Sequence, residues 1–588
     1  MCYNWLTILL GKIFKTLRNK IDLSGDPDAL FLNPWREGAL KLLEPPEYIW
    51  RAREGGTIEG FAISDHDAIN DKTDSFIRTT QRHKSFRKPV EINAVPAVVE
   101  RASFRKSHIF AGDKMVLSGA SATRLFNAFR AEQLEGHVEA GNVLSAFLKD
   151  CRKANAGHEF PVETLFIESD LDFAVECRNT FNYYHFITES LAQLCVLDGV
   201  GFQGNIYFHF PNNEEKQLPF ARSFVEALFP EFAGRVFFER APKDYDLVLT
   251  AFEFVGGMGQ VPQAQLKGIA RLAPDDSDVG SVEFHPVLAM NAVNTTLLNL
   301  RARALKAIEG HDFSHLPKRF FVGRSLDQSR SRPLAGQDLL LEHLIAFGFE
   351  HVVFEDYSPL EQVALMAQAE MMISHHGAGF TNMLFASPDA YVIELGTLQT
   401  AQFRWGDFWP LANASGCKYI SFFADFAAED QLKEPKFSVD GIVPTFVSEK
   451  ATAQVMAFVV TILGQSPNMP DAGKLEELAG RVLRAGAAPQ AITVLADHRD
   501  MVENNGALCL LLADCHKALD EPKSELLALE AAFRTDPSRW QTLVRIIWCA
   551  NRIERPEVIR SALSRLAAGF PERHDAFVAN HDWVRFVG

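Results

Sequence analysis

Two long stretches in which short apolar runs alternate with amphipathic helical segments restrict this fold more than any other feature. In the later stretch, 318–463, strand-like runs at 319–322, 351–354, 371–374 and 391–394 enclose helical patterns at 337–347 and 359–367. In the earlier one, 100–300, the runs fall at 173–176, 205–208, 235–238 and 247–250, with helices at 183–196 and 220–228. Strands separated by helices of this length predict parallel α/β sheets, because a parallel pair needs a crossover connection. Two doubly wound units in succession place a ligand in the cleft between them, at the carboxyl ends of the strands.

After Pro467 and Pro470 the pattern becomes helical throughout. Pro489, Pro522 and Pro556 recur 33 and 34 residues apart, each opening an apolar helix in a matching context. Helix pairs of this period resemble tetratricopeptide repeats, which stack because one unit cannot bury its own apolar face; an ordinary helical domain is the alternative. A chain of 588 residues is long enough for three to four compact units. The expected division is an extension over 1–99, α/β units over 100–300 and 301–466, and a helical domain over 467–588.

The net charge of −16 excludes a general nucleic-acid binder, which needs an excess of Lys and Arg to neutralise phosphates. The eight cysteines are scattered without a CxxC pair, as expected of buried thiols in a reducing compartment. Residues 1–20 carry Trp5-Leu6-Thr7-Ile8-Leu9-Leu10 followed by Lys12, Lys15, Arg18 and Lys20. Charges after the apolar run argue against a secretory signal, and the run is too short to span a bilayer. Its helical spacing fits either an interfacial membrane helix or a helix docked on the protein.

Chemistry concentrates between residues 369 and 395. The run Met371-Met372-Ile373-Ser374 leads through His375-His376 into Gly377-Ala378-Gly379, and Phe380-Thr381-Asn382 opens what reads as a helix. Glycines at such a turn let backbone N–H groups approach a phosphate, and a helix N-terminus adds positive potential. The strand ending in Glu394 offers a carboxylate to two ribose hydroxyls. Upstream, Gly323-Arg324 is followed by Arg330 and Arg332, whose guanidinium forks suit a diphosphate.

A second constellation runs from Arg178 to Glu189. On a helix, His185 and Glu189 lie one turn apart on one face, so Glu189 either orients the imidazole as a base or forms a structural hydrogen bond with it. No HExxH motif, DxD-type metal pair or GxGxxG fingerprint accompanies these elements. Pro274-Asp275-Asp276-Ser277-Asp278 reads as a solvated acidic stretch.

Together these segments resemble the family 61 glycosyltransferases. The resemblance is carried by Asn182-Tyr183-Tyr184-His185-Phe186 with Glu189, Gly323-Arg324 with the arginines after it, 354–362, the run from His376 to Asn382, and Val392-Ile393-Glu394-Leu395. It implies a GT-B fold of two facing Rossmann-like domains, inversion at the anomeric carbon, no obligatory metal or cofactor, and a nucleotide sugar, UDP-linked, as donor substrate. His185 and Glu189 become the catalytic pair and Asn182 and Tyr184 the acceptor side. The donor side comprises Arg324, Arg330, Arg332, His376, Gly377, Ala378, Gly379, Thr381, Asn382 and Glu394. The acceptor is a glycan or glycoconjugate of surface or capsular polysaccharide synthesis, and the helical repeats engage a protein partner. The expected location is cytoplasmic, or peripheral on the inner face of the membrane. Two departures stand out: Phe186 replaces a Trp usual in the family, and Gly336 an Asn. A catalytically silent scaffold for polysaccharide assembly and a nucleotide-sugar epimerase are the rival readings.

Overall fold

The computed structural model describes residues 21–135, 139–163, 171–178, 182–210, 219–240, 242–275, 277–323, 334–463, 471–484 and 486–587. Residues 1–20 with their basic amphipathic run, and Asp276 of the acidic stretch, lie outside them.

The later alternating stretch forms the expected parallel sheet. Its order is Glu350–Val352, Arg319–Val322, Met371–His375, Tyr391–Thr397, Lys418–Phe426, with Thr445–Phe446 antiparallel at one end. Met371–His375 is buried at every position, as a strand covered on both faces should be. Helix Pro359–Ala367 starts where local chemistry dictates. Ser358 and Glu361 cap each other's backbone, and Pro359 occupies the first turn, where its missing N–H is harmless.

The earlier stretch departs from a parallel unit. Val236–Glu239, Ile206–His209, Phe173–Glu176 and Lys243–Glu253 run parallel, but Ala94–Arg105, His108–Ala111 and Lys114–Met115 continue the sheet antiparallel. Residues before 99, expected as an extension apart from the α/β units, are built into them. Leu40–Leu42 pairs with Ala94–Arg105, and Thr57–Ala62 adds a parallel strand beside Lys418–Phe426. The small Ala292–Asn294, Val90–Ile92, Trp50–Ala52 sheet joins early and late segments. Alternation of residue types reveals a strand but not its partner, so this contribution is invisible to local pattern.

One continuous apolar core reaches from Phe173 and Phe208 through Met372 and Phe380 to Trp405 and Trp409, crossing both large sheets. A second lies under the parallel sheet and continues through helix Glu449–Leu463 into Leu475, Leu495 and Leu508 of the C-terminal helices. All seven described cysteines are free and buried. No helix among the described residues is long and apolar enough to cross a membrane.

The C-terminal helices include the pairs Gly506–Ala518 with Pro522–Thr535 and Trp540–Arg552 with Pro556–Gly569. Gly486, Asp520 and Glu554 fall 34 residues apart, and all three have positive φ, at 82°, 54° and 55°. The repeat thus reaches the backbone conformation of its turns, but only the first turn uses glycine. A non-glycine residue in this region carries roughly 1–2 kcal/mol of steric cost. Glu554→Gly is therefore expected to stabilise the 540–569 pair by about 0.5–1 kcal/mol, since glycine's greater chain entropy offsets part of the relief. Slower amide hydrogen exchange over those two helices would register the gain; unchanged exchange would show that the turn is unstrained.

Candidate functional site

The two constellations, almost 200 residues apart in sequence, meet. The segment after Asn182 forms one α-turn, Tyr183–His185, then a π-helical turn, Phe186–Ser190, then the 3-10 segment Leu191–Leu197. The expected continuous helix is thus first under-wound and then over-wound, and π-helical turns are frequent at functional sites. Asn182 Oδ1 accepts from His185 N at 3.3 Å, so this side chain caps the helix and is not aimed at an acceptor. Phe186, at the position where a Trp is usual, is fully buried against Phe208 and Phe220.

Tyr183 reaches across to the later sheet. Its hydroxyl donates to Asn382 Oδ1 at 2.6 Å, and Asn382 Nδ2 donates to Gln362 Oε1 at 3.2 Å. Gln362 Nε2 in turn holds the carbonyls of Phe354 and Tyr357 at 2.9 and 3.1 Å. Burial, partly offset by the Asn382 hydrogen bond, pushes the Tyr183 phenol well above its usual value, so it stays a neutral donor. The next residue, Tyr184, donates to the carbonyl of Asp407 at 3.0 Å, and its ring lies 5.8 Å from Phe408.

His185 Nδ1 lies 2.7 Å from Glu189 Oε1, and Arg124 Nη1 donates to Glu189 Oε2 at 3.0 Å. Burial opposes ionisation of Glu189, but the His185 hydrogen bond, the His185 charge and Arg124 prevail and hold its carboxyl below the usual range. Glu189 is thus an anion that can orient the imidazole, held from behind by a guanidinium that the sequence reading did not identify. Arg124, 65 residues earlier in sequence, left no local signal.

On the opposite side, Met371–His375 ends at a half-buried stretch, His376 to Gly379, followed by the 3-10 helix Ala378–Phe385. A 3-10 helix stands where an α-helix is expected, and Phe380–Phe385 is buried throughout. Thr381 and Asn382 are fully buried, and Thr381 Oγ1 donates to Ala378 O at 2.7 Å. Their side chains therefore pin the loop and do not contact a donor. Gly377 is in extended backbone at φ 173°, so its conformation is open to any residue.

Glu394 also corrects the sequence reading. It is 0% exposed; Oε1 lies 2.5 Å from His376 Nδ1, and Oε2 accepts from the hydroxyls of Tyr419 and Ser421. A carboxylate so enclosed cannot hold a ribose. It fixes the His376 ring, and Tyr419 and Ser421 reach it because Glu394 pairs with Ser421 across the sheet. Arg324, Arg330 and Arg332 lie outside the described residues. Gly336 has φ 80°, and a Cβ there would come within 2.1 Å of Val447 O, so packing now demands glycine where an Asn is usual.

Phe408 joins the two sides, its ring centroid 5.4 Å from that of His376 and 5.8 Å from that of Tyr184, which in turn lies 5.3 Å from His185. Beside it, Asp407 is recessed yet open to solvent, and burial raises its carboxyl above the usual value despite the opposing charges of Arg404 and His376. Among the described residues no group of three or more His, Cys, Asp or Glu side chains gathers in a metal-binding arrangement.

Beneath the His185–Glu189 pair lie two fully buried carboxyls, Glu176 and Glu253. Burial is the main cause that lifts them, to about 7 and about 8, and the charge of Glu176 adds to the shift at Glu253. From the usual 4.5 up to about 8, folded Glu253 keeps a proton that the unfolded chain has released. Stability therefore falls as pH rises through that window. Glu253→Gln retains the oxygen that accepts from Asn294 and Thr296. Its melting temperature is expected to rise relative to the parent between pH 5 and 8; a difference that does not vary with pH would refute the assignment. Tyr183→Phe strands the buried acceptor of Asn382 and should destabilise the protein by about 1–3 kcal/mol in denaturant melts.

The family model for Glycosyltransferase 61 matches residues 183–393, a span that opens at Tyr183 and closes beside Glu394. Comparison with curated proteins gives no match. Among solved structures, 17 chains match. One is the crystal structure of MamA protein, with 13% identity and a TM-score of 0.16, covering 21% of this chain. This chain spans 61% of that protein, and so slight a likeness carries no inference. Both constellations, brought together by the fold, fall within the span 183–393 that is similar to the glycosyltransferase 61 family, or adjoin it.

Proposed function

We propose that this protein transfers a sugar from a UDP-sugar to a hydroxyl of a glycan or glycoconjugate, with inversion and without a required metal. The two sheets would act as the facing domains of a GT-B enzyme. The observation that carries the reading is the approach to Phe408 of two carboxylate-held histidines, His376 with Glu394 directly and His185 with Glu189 through the Tyr184 ring.

His376 stands at the carboxyl end of a parallel strand beside the half-buried stretch 376–379. That is where an open α/β sheet offers a ligand site. In this reading His376 and the backbone of Gly377, Ala378 and Gly379 receive the diphosphate, with Arg324, Arg330 and Arg332 neutralising charge as it leaves. His185, oriented by Glu189, takes the acceptor proton while the hydroxyl oxygen attacks the anomeric carbon. The bond from that carbon to the diphosphate oxygen breaks, and its electron pair departs with the nucleotide. Positioning and preorganised charge then supply most of the acceleration. The C-terminal helical pairs are read as a surface for a partner in polysaccharide synthesis on the cytoplasmic side.

Titration of the full chain with UDP checks the donor half, and absent binding would sink the proposal in favour of a silent scaffold. His376→Ala is expected to weaken UDP binding roughly 10- to 100-fold, the scale of a charged hydrogen bond. His185→Ala should leave UDP affinity in place and lower turnover by about 10²–10⁴ in a nucleotide-sugar transfer screen. The opposite pattern would reverse the roles, and isomerised donor without transfer would identify an epimerase.

A further inference from the structure

Helix Leu398–Phe403 follows the strand that carries Glu394, and the 3-10 turn Trp405–Phe408 follows the helix. Trp405, Phe408 and Trp409 are buried. These inward anchors turn the intervening side chains outward: Phe403 is 53% exposed, and the Arg404 and Asp407 side chains are 37% and 42% exposed. Phe437 arrives from a separate segment, tied down where Gln399 exchanges hydrogen bonds with Gly441 O at 2.6 Å and Val443 N at 2.9 Å. Its ring lies 5.3 Å from that of Phe403, tilted by 38°. The Arg404 guanidinium sits over the same ring at 5.1 Å, and its Nη1 donates to Asp407 Oδ2 at 3.2 Å.

This strip is continuous with the candidate site. The Asp407 carbonyl accepts from Tyr184, and the next residue, Phe408, packs against His376. Its chemistry selects among occupants. A wholly apolar partner would desolvate Arg404 and Asp407 without replacing their hydrogen bonds, which is costly. An anionic partner would meet the Asp407 carboxylate on a chain of net charge −16. A neutral sugar ring meets both demands: its C–H face lies on an aromatic ring, and its hydroxyls exchange hydrogen bonds with a planar guanidinium and a carboxylate.

We infer that Phe403, Arg404, Asp407 and Phe437 form an acceptor subsite that binds a pyranose unit of a neutral glycan. The inference rests on the transferase reading and adds the substrate class of its acceptor side. Calorimetric titration of the full chain with xylohexaose, cellohexaose and a β-1,3-glucan hexamer, with and without UDP, tests it. At least one oligosaccharide should bind, and Phe403→Ala and Phe437→Ala should each weaken it roughly 3- to 10-fold, the scale of one aromatic contact. Both variants should keep the parental UDP affinity, and Phe403→Trp should restore glycan binding. UDP binding without any oligosaccharide binding would overturn the inference and leave the transferase reading standing, as would variants that bind glycan like the parent. Co-sedimentation with phosphatidylcholine and phosphatidylglycerol vesicles, abolished by Phe403→Ala, would instead make the strip a membrane contact and overturn it. Loss of UDP binding by the parent chain would bring down both readings.

Discussion

The hydrogen bond from Tyr183 to the fully buried Asn382 is the contact on which the rest of the arrangement depends. It joins the helical turn that follows Phe173–Glu176 to the loop after Met371–His375, and Asn382 passes the connection to Gln362. Asn382 and Gln362 are buried and each has its partner, so the node specifies one alignment of the two halves: a shift would leave buried polar groups unsatisfied. With that alignment set, Tyr184 meets Phe408, whose ring also lies against His376.

A division of labour follows within the motifs. Asn182, Thr381, Asn382 and Glu394 look like ligand-binding residues in sequence, yet each is occupied in capping, bridging or orienting a neighbour. The groups left at the surface of the site are fewer: His185, His376, the 376–379 backbone and the recessed Asp407. Polar residues with buried internal partners hold the shape of this region. The same logic extends behind His185, where Glu189 is held anionic by Arg124 while the neighbouring Glu176 and Glu253 are pushed toward their neutral forms. Neighbouring carboxyls thus take opposite protonation preferences because only one has a guanidinium and an imidazole as direct partners.

How legible this was depended on the range of each interaction. Strands Arg319–Val322, Met371–His375 and Tyr391–Thr397 and helix Pro359–Ala367 follow from runs, caps and prolines within a few residues, and the sequence reading finds them with small shifts at the ends. The His185–Glu189 contact was also readable, since helical spacing alone brings the two together. The antiparallel half of the first sheet was not, nor was the insertion of Thr57–Ala62 beside Lys418–Phe426, because strand pairing over hundreds of residues leaves no periodic trace. Asp407 was missed for a related reason: an Asp in a Trp-Gly-Asp-Phe run reads as a turn until Tyr184 and His376 arrive beside it.

Sequence by itself determined the kinds of element, the family motifs and the 34-residue rhythm of the C-terminal helices, all of which rest on local sterics and the pattern of apolar positions. Tertiary structure alone decided which motif residues stay available. Glu394 has the same carboxylate wherever it is written in the chain. Three partners, from its own sheet and from His376, enclose it and turn a candidate ribose ligand into the support of an imidazole. Burial and partnership are properties of the assembled fold, and in this protein they separate fully enclosed motif residues such as Glu394 from partly exposed ones such as His376.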